Sequence, residues 1–300
     1  MTIKIEMLRC FATVAQTGNL AEAAERLGRT QSAISMTLKQ LEAHLGKRLF
    51  ESDRKNRLTP LGEHVFELAQ AQLRQFDFTV HAIETSASSP EGVIRVASIP
   101  SMARSVFPRT IQTLTAQYPG LRVELRDADS QQVTDALLRG QADIGIVSGA
   151  PRLNGIRQTE LFSDRFGLIC ARDHPLARQE HRPTLAEVTS QGFLGNNLYT
   201  IIEDDAVRKA VEGARVTVPN TLSLIAMIRS GLWVTILPSS VVDFLPDELL
   251  FRRIEGLSAR RQVSMLMREK TMFPELAEAF WDEVKALDWE GRERAVEASG

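Results

Sequence analysis

Between Leu20 and Leu45 the apolar positions keep helical spacing twice, with one glycine between the two runs. Leu20, Ala23, Ala24 and Leu27 put one apolar face on a short first segment, and Gly28 can supply the turn that ends it. Ile34, Leu38, Leu41 and Leu45 follow at spacings of four, three and four, so the second segment is also apolar on one face only. Its opposite face carries Gln31, Ser32, Ser35, Met36 and Lys39. Two short helices joined by a tight turn predict a helix-turn-helix, whose second helix enters the DNA major groove. Amides and hydroxyls suit that position because they read donor and acceptor patterns on base edges. An ordinary helical hairpin has the same pattern, so the neighbouring segments must decide.

After the second helix come two apolar anchors, Leu49 and Phe50, and a basic tip, Arg54, Lys55, Asn56 and Arg57. This predicts a β-hairpin wing along the DNA backbone; a solvated loop is the alternative. Thr59 followed by Pro60 is a helix start, because the hydroxyl can cap and proline tolerates the first helical position. The helix should reach about Ser86. Phe66, Ala69, Leu73, Phe76, Val80 and Ile83 alternate spacings of three and four along it, the pattern of a coiled-coil seam. A homodimer through Leu73, Phe76, Val80 and Ile83 is expected, against the alternative of a helix packed on its own domain. The run "SASSP" then breaks the helix.

From Gly92 the period changes. Strand "GVIRVAS", a helix from about Met102 to Gln117, strand "LRVELRD", helix "SQQVTDALLRG" and strand "ADIGIVS" make a βαβαβ unit, the signature of a parallel sheet. A second set follows. Strands are predicted near Arg165 to Ala171, Gly192 to Leu194, Arg215 to Val218 and Leu232 to Leu237, with helices from about Ile201 and Leu222. Strand "RRQVSMLMR" and a helix from Pro274 to Leu287 return the chain to the first set. The expected architecture is a DNA-binding domain over residues 1–60, a linker helix and hinge over 61–89, and two α/β lobes over 90–300. The first lobe takes about 90–160 plus 267–300 and the second about 161–266, with a cleft between them.

Composition adds mainly exclusions. With 43% hydrophobic and 25% charged residues the chain reads as an ordinary soluble protein. No run of about 18 apolar residues occurs, and Met7 to Val14 is interrupted by Arg9, so a cytoplasmic protein without membrane contact is expected. Cys10 and Cys170 form no disulfide or metal framework. The net charge of −2 hides an asymmetry: residues 1–60 hold ten Lys or Arg against six Asp or Glu, whereas the remainder is net acidic. Only the start of the chain is suited to neutralising phosphates. No P-loop, G-x-G-x-x-G, G-x-S-x-G or zinc spacing is present, and the five histidines are scattered, so neither a cofactor nor an enzyme is expected. An enzyme or a solute-binding protein using the two-lobed cleft is the alternative.

The stretches "FATVAQTGNLAEAAERLGRTQSAISMTLKQLEAHLGKRLF", "RLTPLGEHV", "ARDHPLA" and "SGLWVTILPSSVV" resemble a LysR-type transcriptional regulator, and the likeness runs over nearly the whole chain. The resemblance implies a winged helix-turn-helix, a dimerising linker helix, and an effector domain similar to periplasmic solute-binding proteins. It also implies assembly as homodimers or homotetramers on double-stranded DNA, under control of a small-molecule effector. The family's base-reading positions map onto Gln31, Ser32, Ser35 and Met36, with Thr30 and Lys39 as backbone contacts. Met36 is a departure, since arginine is frequent there; a thioether can touch a thymine methyl but cannot hold guanine bidentately. Ser52 and Asp53 make the wing less basic than usual.

The family's effector-contact positions map onto Ser101, Met102, Ser130, Ser148, Asn196, Asn197, Tyr199 and Thr221. Helix starts expose N–H groups and a positive dipole end, which favours a carboxylate, and Asp127 or Asp129 could hold an ammonium group. A carboxylate-bearing or zwitterionic effector is therefore expected, with simple helix capping as the alternative role of these residues. A peroxide-sensing variant is not expected, because such regulators use a cysteine pair in the second lobe and only Cys170 lies there.

Overall fold

The computed structural model describes residues 2–52, 55–88, 92–149, 152–198, 202 and 204–289. The chain divides into two compact units, residues 1–88 and residues 89–300. In the first, helices α1 (Ile5–Thr17), α2 (Leu20–Arg26), α3 (Gln31–Leu45) and α4 (Pro60–Ser88) surround a single core. Ile34, Leu38 and Leu41 of α3 are fully buried there, and each such burial stabilises by about 1.5–3 kcal/mol. Asn19 and Thr30 cap α2 and α3 through side-chain oxygens, and left-handed glycines end α1 and α3 at Gly18 and Gly46.

The wing is reduced to a bridge between Phe50 and Leu58, with the Glu51 amide donating to the Arg57 carbonyl at 3.0 Å. Thr59 caps α4 as expected: its Oγ1 accepts from the Gly62 amide at 3.0 Å. Gly62 is required where α4 crosses the wing, because a Cβ there would lie 2.1 Å from the Leu49 carbonyl oxygen.

The second unit runs β1 (Val93–Ser98), a 3-10 segment (Pro100–Met102), α5 (Ala103–Gln117), β2 (Arg122–Asp127), α6 (Ser130–Leu138), β3 (Ile144–Ser148) and β4 (Ile156–Ala171). It continues with α7 (Pro175–Arg178), α8 (Leu185–Ser190), β5 (Leu194–Gly195), α9 (Asp205–Glu212), β6 (Val216–Thr217), α10 (Thr221–Ile228) and β7 (Thr235–Pro238). A 3-10 segment (Ser239–Phe244), β8 (Leu249–Arg252), β9 (Arg260–Arg268) and α11 (Pro274–Lys285) complete it.

As the pattern predicts, β1, β2 and β3 are parallel, and the main sheet has the order β2-β1-β3-β9-β4-β7. Two expectations need correction. β4 begins at Ile156 rather than near Arg165, because its first residues pair antiparallel with β9 from Ile156↔Arg268 onward. A lobe boundary near 266–267 falls inside β9, whose residues 263–267 already pair with β3. β4 and β9 therefore form a continuous two-strand ribbon between the lobes, and the crossing lies at the Arg260 end. The second lobe's strands near 192–194, 215–218 and 232–237 shorten to β5, β6 and β7, and the helix expected from Ile201 starts at Asp205, capped by Asp204.

Separate apolar clusters fill the two lobes. Ile94, Val96, Ile144, Met265, Phe280 and Trp281 meet in the first, and Phe166, Leu168, Val188, Val207 and Val234 in the second. α6 lies so close on β3 that a Cβ at Gly145 would fall 2.6 Å from Leu137 and 2.8 Å from Val133. This close packing fixes the start of α6 at the carboxyl end of the sheet.

Candidate DNA-reading face and effector cleft

α3 turns its apolar stripe inward and leaves Gln31, Ser32, Met36 and Lys39 exposed, with Ser35 half-buried beside them. Met36 is 61% exposed, so its thioether stands clear of the core of its own unit. Thr30 is the N-cap: its Oγ1 accepts from the Ala33 amide at 3.3 Å and lies 3.0 Å from the Ser32 hydroxyl. Two of the expected wing cations are engaged inside the unit. Lys55 adopts φ +58° and sets its ammonium 4.9 Å from the centroid of the Phe50 ring, and Arg57 pairs with Glu51 at 3.1 Å. Arg54 lies outside the described residues.

The expected seam on α4 divides. Leu73 is 9% exposed and packs with Ala69 into the core of its own unit, which corrects its placement on a dimer seam. Below it, Asp77 pairs bidentately with Arg9 at 2.5 and 3.2 Å, and this guanidinium holds the Asp77 carboxyl below the usual carboxylate range. Phe76 and Ile83 are exposed and Val80 is half-buried, so the apolar stripe is open over its second half.

In the second unit a cavity of about 700 Å³ lies between the lobes. Its first-lobe wall carries Ser101, Asp127 and Ser130, and its second-lobe wall carries Asn197, Thr221 and Leu224. Both serines already accept a hydrogen bond from the protein. Ser101 Oγ accepts from Arg261 Nη1 at 3.1 Å, and Ser130 Oγ accepts from the Ser148 amide at 2.9 Å. Each hydroxyl proton is thereby left for an acceptor in the cavity.

Three of the predicted effector contacts have other situations, and a fourth is not described. Met102 is fully buried in the first-lobe core. Ser148 is buried and does not line the cavity, acting instead through its amide on Ser130. Asn196 lines it with its amide committed: Nδ2 donates to Thr235 Oγ1 and the Ile236 carbonyl, both at 3.0 Å, and Oδ1 accepts from the Leu198 amide at 3.0 Å. Tyr199 lies outside the described residues. Thr221 does not cap α10; Asn220 does, accepting from the Ser223 amide at 3.1 Å. Asp129 likewise caps α6, whereas Asp127 is exposed with no partner among the described residues.

The cavity floor holds a group that motif reasoning misses. Asp164 on β4 and Arg261 on β9 face each other in register and are almost fully buried. Arg261 donates from Nε to Asp164 Oδ1 at 2.9 Å, and from Nη2 to Asp164 Oδ2 and Ser240 Oγ, both at 2.7 Å. Strand parity carried a signal. Arg261 is in phase with the buried Val263, Met265 and Met267, and Asp164 with the buried Phe162, Phe166 and Leu168, so each charge points where its strand is apolar.

Cys10 and Cys170 are buried, and burial pushes both thiols up to about 11. Among the described residues no cluster of three His, Cys, Asp or Glu could hold a metal ion, and no helix is long and apolar enough to cross a membrane. His174, buried at the start of α7, caps it through Nδ1 at 3.1 Å from the Leu176 amide.

Residues 5–63 match the family model for the bacterial regulatory helix-turn-helix protein, lysR family, and residues 87–288 match that for the LysR substrate binding domain. A probable HTH-type transcriptional regulator, LrrA, of Synechococcus elongatus is 31% identical over 82% of this chain and 85% of its own length. A probable hydrogen peroxide-inducible genes activator of Streptomyces viridosporus is 26% identical over 94% of this chain and 95% of its own. Full-length CbnR in complex with its target DNA matches with a TM-score of 0.67 at 22% identity, over 94% of this chain and 99% of that one.

Proposed function

This chain belongs to the LysR family of bacterial transcriptional regulators, and we propose that it reads DNA as a homodimer or homotetramer through α3 while an effector in the interlobe cleft sets its response. The working division is DNA reading over residues 1–60, the linker helix over 61–89, and effector binding beyond. The observation that carries the reading is the two-faced α3: Ile34, Leu38 and Leu41 anchor it, and Gln31, Ser32, Ser35 and Met36 are left to meet base edges. Lys39 supplies a phosphate contact. The open stripe of Phe76, Val80 and Ile83 pairs two copies, so that two half-sites are read together. The CbnR–DNA complex supports this docking by likeness of fold.

The effector is a small molecule with an acceptor group at Ser101 and Ser130. Asp127 can pair an amino group at the same wall, which favours a zwitterion over a simple anion. The chain binds this molecule without turning it over. A peroxide response does not carry over from the Streptomyces relative: Cys170 is the single cysteine of the effector unit, and a buried thiol held near 11 is a poor nucleophile. Binding-site selection from random duplex DNA with the full chain tests the reading. Enrichment of a two-fold-related pair of half-sites is expected; a pool without sequence preference overturns it.

A further inference from the structure

The cleft floor and the two lobes share one side chain. Arg261 is 3% exposed, and four of its five N–H groups are committed: two to Asp164, one to Ser101 of the first lobe, and one to Ser240 of the second. Asp164 closes the ring, its Oδ2 accepting from the Ser240 amide at 3.2 Å. The remaining Nη1 N–H has no acceptor among the described residues, and Arg261 lines the cavity. With its charge matched by Asp164, the guanidinium presents a directional donor to the cleft rather than a free cation.

We propose that Arg261 is the positioning residue that couples ligand seating at Ser101 to the second lobe at Ser240. A guanidinium is planar, so its donors cannot be re-aimed one at a time. An acceptor group that draws Ser101 toward itself, or accepts from the remaining Nη1 N–H away from its present axis, pulls on the plane that also holds Asp164 and Ser240. Asp164 and Ser240 sit where β4 crosses between lobes and where the Ser239–Phe244 segment begins. The class of group read here is an oxygen acceptor, as in a carboxylate or a carboxamide. A second bond also spans the lobes, from Ser105 Oγ to Asp243 Oδ2 at 3.4 Å; it bypasses Arg261 and serves as the parallel path that the test must separate.

The proposal rests on the cleft being the effector site, yet its test needs neither DNA nor effector. Hydrogen–deuterium exchange is followed on the full chain in peptides covering residues 98–107 and 238–244. Ser101→Ala should speed exchange in the 238–244 peptide about fivefold, the factor one net hydrogen bond is worth. Ser101→Thr, which keeps the hydroxyl, should restore the slow rate. Against an Arg261→Lys background, Ser101→Ala should add nothing.

An unchanged 238–244 peptide in Ser101→Ala, or the same acceleration in both backgrounds, overturns the coupling. Should Arg261→Lys fail to fold, the reciprocal variant decides: Ser240→Ala must speed the 98–107 peptide, since coupling acts both ways, and no change there overturns the proposal. Loss of sequence preference in binding-site selection overturns the DNA reading and leaves this result intact.

Discussion

The exposed face of α3 and the floor of the cleft commit their polar groups in opposite ways. On α3, Gln31, Met36 and Lys39 are exposed, and Thr30 spends its oxygen on the cap. In the cleft, Arg261, Asp164 and Asn196 are bound to neighbours that stand far away in the chain. Substitutions on the first surface should act one at a time, with little cost in stability. On the second they should act together, because residues of one hydrogen-bond network are not independent.

The sharpest test of that contrast is Asp164→Ala. It leaves the Arg261 guanidinium buried without its carboxylate, which costs about 3–5 kcal/mol. All three tryptophans, Trp233, Trp281 and Trp289, lie in the effector unit, so urea unfolding followed by tryptophan fluorescence reports that unit selectively. Met36→Arg, in the unit without tryptophan, should leave the helical unfolding transition followed by circular dichroism where it is. A shift under about 1 kcal/mol for Asp164→Ala would mean that the pair is hydrated and the network weak.

The same contrast recurs within α4. Leu73→Ala should destabilise the first unit by roughly 2–3 kcal/mol, the lower part of the range for a core leucine, since the residue is still 9% exposed. Ile83→Ala, 62% exposed, should leave helical unfolding by circular dichroism unchanged and weaken self-association in sedimentation. Equal stability losses from both variants would remove the distinction between the buried and open halves of the stripe.

These differences mark what could be read in advance. α3 was legible because its anchors, Ile34, Leu38 and Leu41, and its exposed residues lie within one short run, where helical spacing alone sorts them. The parallel β1–β3 unit was legible for the same local reason. Lys55 was not, since its position over Phe50 depends on a left-handed backbone at a residue that is not glycine. The true start of β4 depends on pairing with β9, some hundred residues later. The resemblance puts Asn196 at the effector, and its commitment to Thr235 and Ile236 is illegible in the sequence because these partners belong to another strand. Arg261 and Asp164 place charges in phase with the buried residues of their strands, a signal visible in each strand but meaningful only once the two face each other.

Specificity at Met36 offers a smaller effect that isolates the reading face. Met36→Arg exchanges an apolar contact for a bidentate donor, and the base read at that position should shift toward guanine by about 1–3 kcal/mol. Binding-site selection with wild type and variant measures this directly. Identical profiles would place Met36 outside the groove.

The smallest predicted effect asks what Met36 reads in the native protein. A thioether has no donor and only a weak acceptor, so its natural partner on a base edge is the thymine 5-methyl group, the one apolar group in the major groove. Burying a methyl group is worth about 0.8 kcal/mol, close to a fourfold change in affinity. Replacing thymine by uracil deletes that methyl while preserving every hydrogen-bonding atom of the pair. In the selected half-site, one such replacement should therefore weaken wild-type binding about fourfold at the position facing Met36, and leave Met36→Ala unaffected. Titrations at fixed salt are needed, because the phosphate contribution changes steeply with ionic strength. Equal uracil penalties in both proteins would assign the methyl contact to another side chain, and no penalty at any thymine would exclude apolar reading by α3 altogether.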